Sequence, residues 1–149
     1  MPTPFRLRFL ALALACASAY AEQLTVLHVG DQESWLVSAQ GKLRDDPTQP
    51  ISFYGGIDRL AAVIERATAS AQAAGRSVLK LNAGDALLPG PRLDASRRQL
   101  ANAHADGGQD FYDAIALRRI GFDALIFGNH EFDLGSDLAA RFAEVSATS

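Results

Sequence analysis

The stretch Gly128-Asn129-His130-Glu131-Phe132-Asp133 places an amide, an imidazole and two carboxylates in five consecutive residues, directly after the apolar run Leu125-Ile126-Phe127. Two other apolar runs end in the same manner. Residues 24–30 lead into Asp31-Gln32-Glu33, and residues 77–83 lead into Gly84-Asp85. Gly30, Gly84 and Gly128 stand just before or beside the polar residues, and glycine permits the tight turns that aim a following side chain inward. Carboxylates gathered in one crevice repel each other unless a cation neutralises them, and Asp, Asn and His donors suit a divalent metal. Taken singly, Asp31, Asp85 and Asn129 are also ordinary turn-capping residues. It is the repetition at three separated places that points to a metal site.

The elements that must carry these residues follow from periodicity. Residues 24–30 (LTVLHVG) are apolar and β-branched without helical spacing, which predicts a buried strand. After a polar connection containing Pro47 and Pro50, a helix is expected over 55–75, with Ile57, Leu60, Ala61, Ile64, Thr68 and Ala71 on one face and Gly75 at its C-terminal cap. A second strand is expected over 77–84, a helix over 109–121 closed by Gly121, a third strand over 122–128, and a last helix near Ser136, with that serine as N-cap. The order β-α-β-α-β-α predicts an α/β fold whose parallel strands are covered by helices. Ligand sites in open α/β sheets lie beyond the carboxyl ends of the strands. The three polar endings should therefore meet there.

Several residues have blander readings. His28, inside the first strand, alternates away from Asp31 and reads as a core histidine. His104 reads as solvated, and Trp35 and Phe53 as packing residues. Residues 84–107, with Pro89, Pro91 and the adjacent Arg97 and Arg98, form the longest stretch without an assigned element, a length typical of functional or disordered loops.

Residues 1–21 stand apart: Arg6 and Arg8 precede the apolar run FLALALACA, and AYA ends at Ala21 as a small-x-small cleavage pattern. An exported protein, periplasmic or extracellular, is expected, with 22–149 as its mature part. The apolar run is far shorter than the roughly 20 residues a membrane-spanning helix needs. Cys16, the one cysteine, fits a lipid-attachment pattern poorly. Loss of the leader removes two arginines and moves the formal charge from −3 to −5. That balance argues against a nucleic-acid polymer as partner, since phosphate neutralisation needs clustered Lys and Arg.

Taken together, LTVLHVGDQES, VLKLNAGDALLPGP and LIFGNHEFDLG resemble the calcineurin-like metallophosphoesterases, most closely the 5'-nucleotidase and UDP-sugar hydrolase branch, and GGIDRLAAVIE and FYDAIALRRIGFDA resemble that branch too. The resemblance implies a β-α-β-α-β-α portion of a four-layer αββα sandwich. It implies hydrolysis of a small phosphate ester, a nucleotide, with two divalent metal ions (Mn, Mg or Zn) as cofactors. By motif match Asp31 would bind one metal, Asp85 bridge two, and Asn129 bind the other. His130 would be the catalytic histidine and Asp133 its orienting partner, with Glu131 and Phe132 as spacers and support. Asn129 and His130 would also meet the substrate. In such chemistry two metals about 4 Å apart activate a bridging hydroxide for in-line attack.

The chain departs from the family in two respects. The usual first motif is Asp-x-His, and Glu33 stands where the histidine belongs; an oxygen ligand there would favour manganese or magnesium over zinc. The family's further histidine ligands lie downstream of the third motif, in a portion of the catalytic domain expected beyond Ser149 together with a substrate domain. A non-catalytic metal- or nucleotide-binding module, or an inactive truncated product, are the competing readings.

Overall fold

The computed structural model describes residues 22–41, 48, 50–100 and 111–147. The expected signal segment 1–21, with Cys16, and His104 lie outside the described residues. Three parallel strands form the main sheet in the order β1 (Leu24–Val29), β4 (Ser77–Asn82), β5 (Ala124–Leu125). Leu24 pairs with Ser77 and Val29 with Asn82, while Leu81 pairs with Ala124. The polar endings of all three strands consequently emerge at one edge of the sheet.

Helix α1 (Ile57–Ala73) crosses from the first strand to its neighbour and packs on β1 and β4. Ile64 and Ala71 are its buried positions, and Gly75 follows it at φ 72°. Helix α3 (Tyr112–Ile120) ends at Gly121 in the left-handed conformation, φ 70°, where the Gly121 N–H donates to Leu117 O. Such a cap satisfies a carbonyl the helix would leave unpaired. Helix α4 (Ser136–Ser146) begins at Ser136, and Gly135 rather than the serine occupies the N-cap with no side-chain bond.

The structure differs from the expected pattern in four further places. The connection between β1 and α1 contains a short antiparallel pair, β2 (Ala39–Gly41) with β3 (Ser52–Tyr54). The long stretch without an expected element contains helix α2 (Pro91–Leu100), which begins at a proline; proline suits that first helical position because its missing N–H is unpaired there anyway. The first strand is half-buried rather than buried: Leu24 is 56% exposed and Val26 50%, with His28 exposed on the same side. His28 is therefore no core histidine, because period-two alternation puts it on the sheet face that the helices leave open. Trp35 and Phe53 are exposed too, and Trp35 carries the Arg92 guanidinium 3.7 Å above its ring instead of packing into the interior.

The principal core lies beside the sheet edge rather than across its open face. Ala86 and Leu87 from the segment after β4 meet Leu93 of α2, Phe111, Ala114 and Leu117 around α3, and Phe142 and Val145 of α4. Phe127 reaches Phe142 at 6.1 Å between centroids and Phe132 at 5.8 Å. This aromatic chain anchors the third polar ending to the core. No helix among the described residues is long and apolar enough to cross a membrane.

Candidate functional site

Each polar ending is a turn at the carboxyl edge of the sheet, and backbone hydrogen bonds tie the first turn to the second. Asp31 N–H donates to Gly84 O, Glu33 N–H to Asp85 O and Ser34 N–H to Ala86 O, each at 3.0 Å. A side-chain bond adds to them: Asn82, fully buried, donates through Nδ2 to Gln32 Oε1 at 3.1 Å and accepts the Gly84 N–H on Oδ1 at 2.9 Å.

These two turns hold the non-glycine residues of positive φ found among the described residues: Asp31 at 56°, Glu33 at 48°, Ser34 at 59° and Asp85 at 48°. The left-handed conformation costs roughly 1–2 kcal/mol for a residue with a Cβ. Its concentration at two of the three candidate turns is a mark of functional geometry, because strain of this sort persists only where surrounding structure enforces it.

The second and third turns touch backbone to backbone. A Cβ on Gly84, itself at φ 92°, would overlap Gly128 N, and a Cβ on Gly128 would overlap the Asp85 carboxylate. Both glycines are therefore fixed by close approach. Gly30 is different: it has no positive φ, and its nearest neighbour would be Ala83 Cβ at 3.2 Å.

The third turn is a single 3-10 turn, His130–Phe132. His130 N–H donates to Asp85 Oδ1 at 2.9 Å, so the backbone of the histidine is registered against the aspartate of the second turn. His130 Nδ1 lies 2.6 Å from Asp133 Oδ2. The Asp133 hydrogen bond holds the imidazole above its ordinary range, partial burial opposes, and the charges of Asp133, Asp85 and Glu33 add to the rise. The imidazolium form is thus favoured relative to a free histidine.

The structure brings Asp31, Glu33, Asp85, Asn129, His130 and Asp133 to one cluster of turns, but it does not bring every side chain to one point. Asp31 and Asn129 are exposed, and Asp85 commits Oδ1 to His130 N–H. Among the described residues no three His, Cys, Asp or Glu side chains stand close enough together to hold a metal ion. Hydrogen bonding fixes the backbones of the three turns together. The donor chemistry suits a hard divalent ion.

Glu131 is the residue that sequence reasoning undervalued. It is fully buried, and its carboxylate accepts Asp85 N–H at 3.0 Å and Gly128 N–H at 2.7 Å on Oε2, and Ala86 N–H at 2.7 Å on Oε1. The one signal available was an acidic residue between two aromatic-supported positions of a turn, which does not reveal burial.

No family model matches the chain. A probable 5'-nucleotidase of Treponema pallidum (strain Nichols) is 31% identical over 120 residues, which span 80% of this chain and 18% of that relative. The resemblance is to the 5'-nucleotidase branch. The solved NAD nucleotidase of Haemophilus influenzae superposes with a TM-score of 0.64 over 84% of this chain and 19% of its own, at 22% identity, a likeness of fold alone. The chain thus spans about a fifth of the length of either protein. Within that span the architecture is the α/β portion of a metallophosphoesterase-type fold, as the three motifs implied.

Proposed function

We propose that this chain is the amino-terminal part of an exported, metal-dependent phosphoester hydrolase acting on nucleotides in the manner of a 5'-nucleotidase. The observation that carries the reading is the hydrogen-bonded junction of the three turns, with His130 N–H on Asp85 Oδ1 and His130 Nδ1 against Asp133. Likeness to the Treponema pallidum relative supports the substrate class.

Divalent metal ions belong to this reading. They would supply an activated water and charge neutralisation at the phosphoryl group. Asp31, Glu33, Asp85 and Asn129 are the donors this segment offers, and the remaining donors come from outside the described residues. The chain's own contribution to the reaction lies in His130. With its protonated form favoured by Asp133, it donates a hydrogen bond or a proton to the departing oxygen of the ester, and the exposed Asn129 amide beside it binds a phosphoryl oxygen.

The test uses the protein extended through its downstream portion, assayed on nucleoside monophosphates with manganese, magnesium or zinc. Metal-dependent phosphate release, abolished by chelation, is the expected result; no release from any ester with any of the three metals would overturn the reading. The His130→Ala variant is expected to lose about 100-fold or more in kcat while keeping its metal content. The second reading, a binding module without turnover, draws on Glu33 in place of a histidine. Calorimetric nucleotide binding without hydrolysis in the same protein would establish it.

A further inference from the structure

Glu131 stands immediately after the candidate catalytic histidine, yet its side chain turns away from solvent into complete burial. Burying a carboxylate is unfavourable unless its lone pairs are satisfied, and here three backbone N–H groups satisfy them. Two of those donors, Asp85 and Ala86, belong to the second turn, and the third, Gly128, belongs to the turn that carries Glu131 itself. One side chain therefore bonds two turns that are 45 residues apart in the chain.

From this geometry we infer that Glu131 is the positioning residue of the site, the clamp that sets Asp85 and the Asn129–His130 backbone in one frame. The Asp85 N–H is drawn to Glu131 Oε2, which holds that residue in its left-handed conformation and presents Oδ1 to His130 N–H. The first turn hangs from the second through Asp31, Glu33 and Ser34, so its placement depends on the same clamp. Close contact of Gly84 with Gly128 brings the turns together but has no directional bond of its own. Glu131 supplies that direction.

The substitution Glu131→Gln separates the clamp from mere bulk. Glutamine keeps the size of the side chain but turns one of the two acceptors into an NH2 group, which must face a backbone N–H. Glu131→Asp keeps the charge and is one methylene too short to reach all three donors. The effect on turnover rests on the hydrolase reading; the effect on the turns does not, and the two are read separately in the extended protein.

Amide hydrogen exchange reads the turns. In the wild-type protein the Asp85, Ala86, Gly128 and His130 amides are expected to exchange slowly, and in Glu131→Gln about tenfold or more faster, with the β1–β4 ladder unchanged. Steady-state kinetics reads the site: kcat is expected to fall about 10- to 100-fold with KM within about threefold, and Glu131→Asp to fall between the two. As a control for general loss of stability, Ile64→Ala in α1 should lower Tm and leave kcat near that of the wild type. Wild-type amides that exchange as fast as an exposed loop, or a Glu131→Gln variant with unchanged exchange and unchanged kcat, would overturn the inference. A wild-type protein that releases no phosphate would defeat the hydrolase reading, while the exchange of these four amides would still decide the clamp.

Discussion

His130 and Asp133 are the pair on which the chemistry turns, and their separation of three residues places them on one side of a single 3-10 turn at 2.6 Å. The Asp133 hydrogen bond is the foremost cause of the raised histidine pKa. Asp133→Asn is therefore expected to bring the His130 pKa down, measured by NMR titration of the chelated protein, and to move the alkaline fall in phosphate release to lower pH. An unchanged titration would mean that Asp133 does not hold the proton in place. This pair was legible only through the resemblance of its motif to the metallophosphoesterases, and its members are near neighbours in the chain. Glu131 was not, since the amides it accepts from lie on another turn, and neither its burial nor its partners can be read from the residues beside it. The side-chain placements of Asp31 and Asn129 were beyond pattern reasoning for a related reason: the sequence indicates which turns converge, whereas φ values and hydrogen bonds decide where each side chain ends.

At the scale of elements, long periodic segments were read well and short or polar ones were not. Helix α1 shows its apolar spacing over 17 residues, whereas α2 is strongly polar, with Arg92, Asp94, Arg97, Arg98 and Gln99, and buries only Leu93 and Ser96. The β2–β3 pair has three residues in each strand, too few for alternation to register. Packing of α3 against the first turn contains an element that no pattern announces. Asp113 is 2% exposed, and among the described residues neither carboxylate oxygen meets a donor in good hydrogen-bonding geometry, the Ser34 hydroxyl and its own amide lying near but poorly placed. Burial pushes its pKa up from 3.8 to about 6, with the nearby Ser34 hydroxyl and its own backbone amide opposing. Here the folded state holds the proton to a higher pH than the unfolded state, so stability is lost as pH rises from about 4 to about 6, by an amount on the order of 3 kcal/mol when complete. Asp113→Asn removes the ionisation. Its Tm should exceed that of the wild type by several degrees at pH 7.5 and converge with it toward pH 4. A variant less stable than the wild type at both pH values would show that the carboxylate has a partner in the folded protein.

At the largest scale, the decisive feature among the described residues is a sheet with one covered face. Thr25, Leu27 and Val29 point toward the helices. Leu24, Val26 and His28, with Leu79 and Leu81 beside them in register and Ala124 beyond, form the other face, which Ile126 extends at 62% exposure. A contiguous apolar face of this kind, bounded by the edge strands β1 and β5, favours association when nothing covers it. The alternation of β1 was visible in the sequence, but a run apolar on both faces reads as a fully buried strand, and only the placement of the helices shows which face they leave open. Residues 22–147 produced alone are therefore expected to self-associate and to bind a hydrophobic dye. The double substitution Val26→Lys with Ile126→Lys should return that segment to a monomer in sedimentation, because charges on an open face oppose stacking. In the extended protein of the proposed function the same two substitutions are expected to lower Tm if further structure covers the face, because the lysines would then be buried without partners. A wild-type segment that sediments as a monomer and binds no dye would show that the face is self-sufficient, and a longer protein indifferent to the two lysines would show that its remaining portion packs elsewhere.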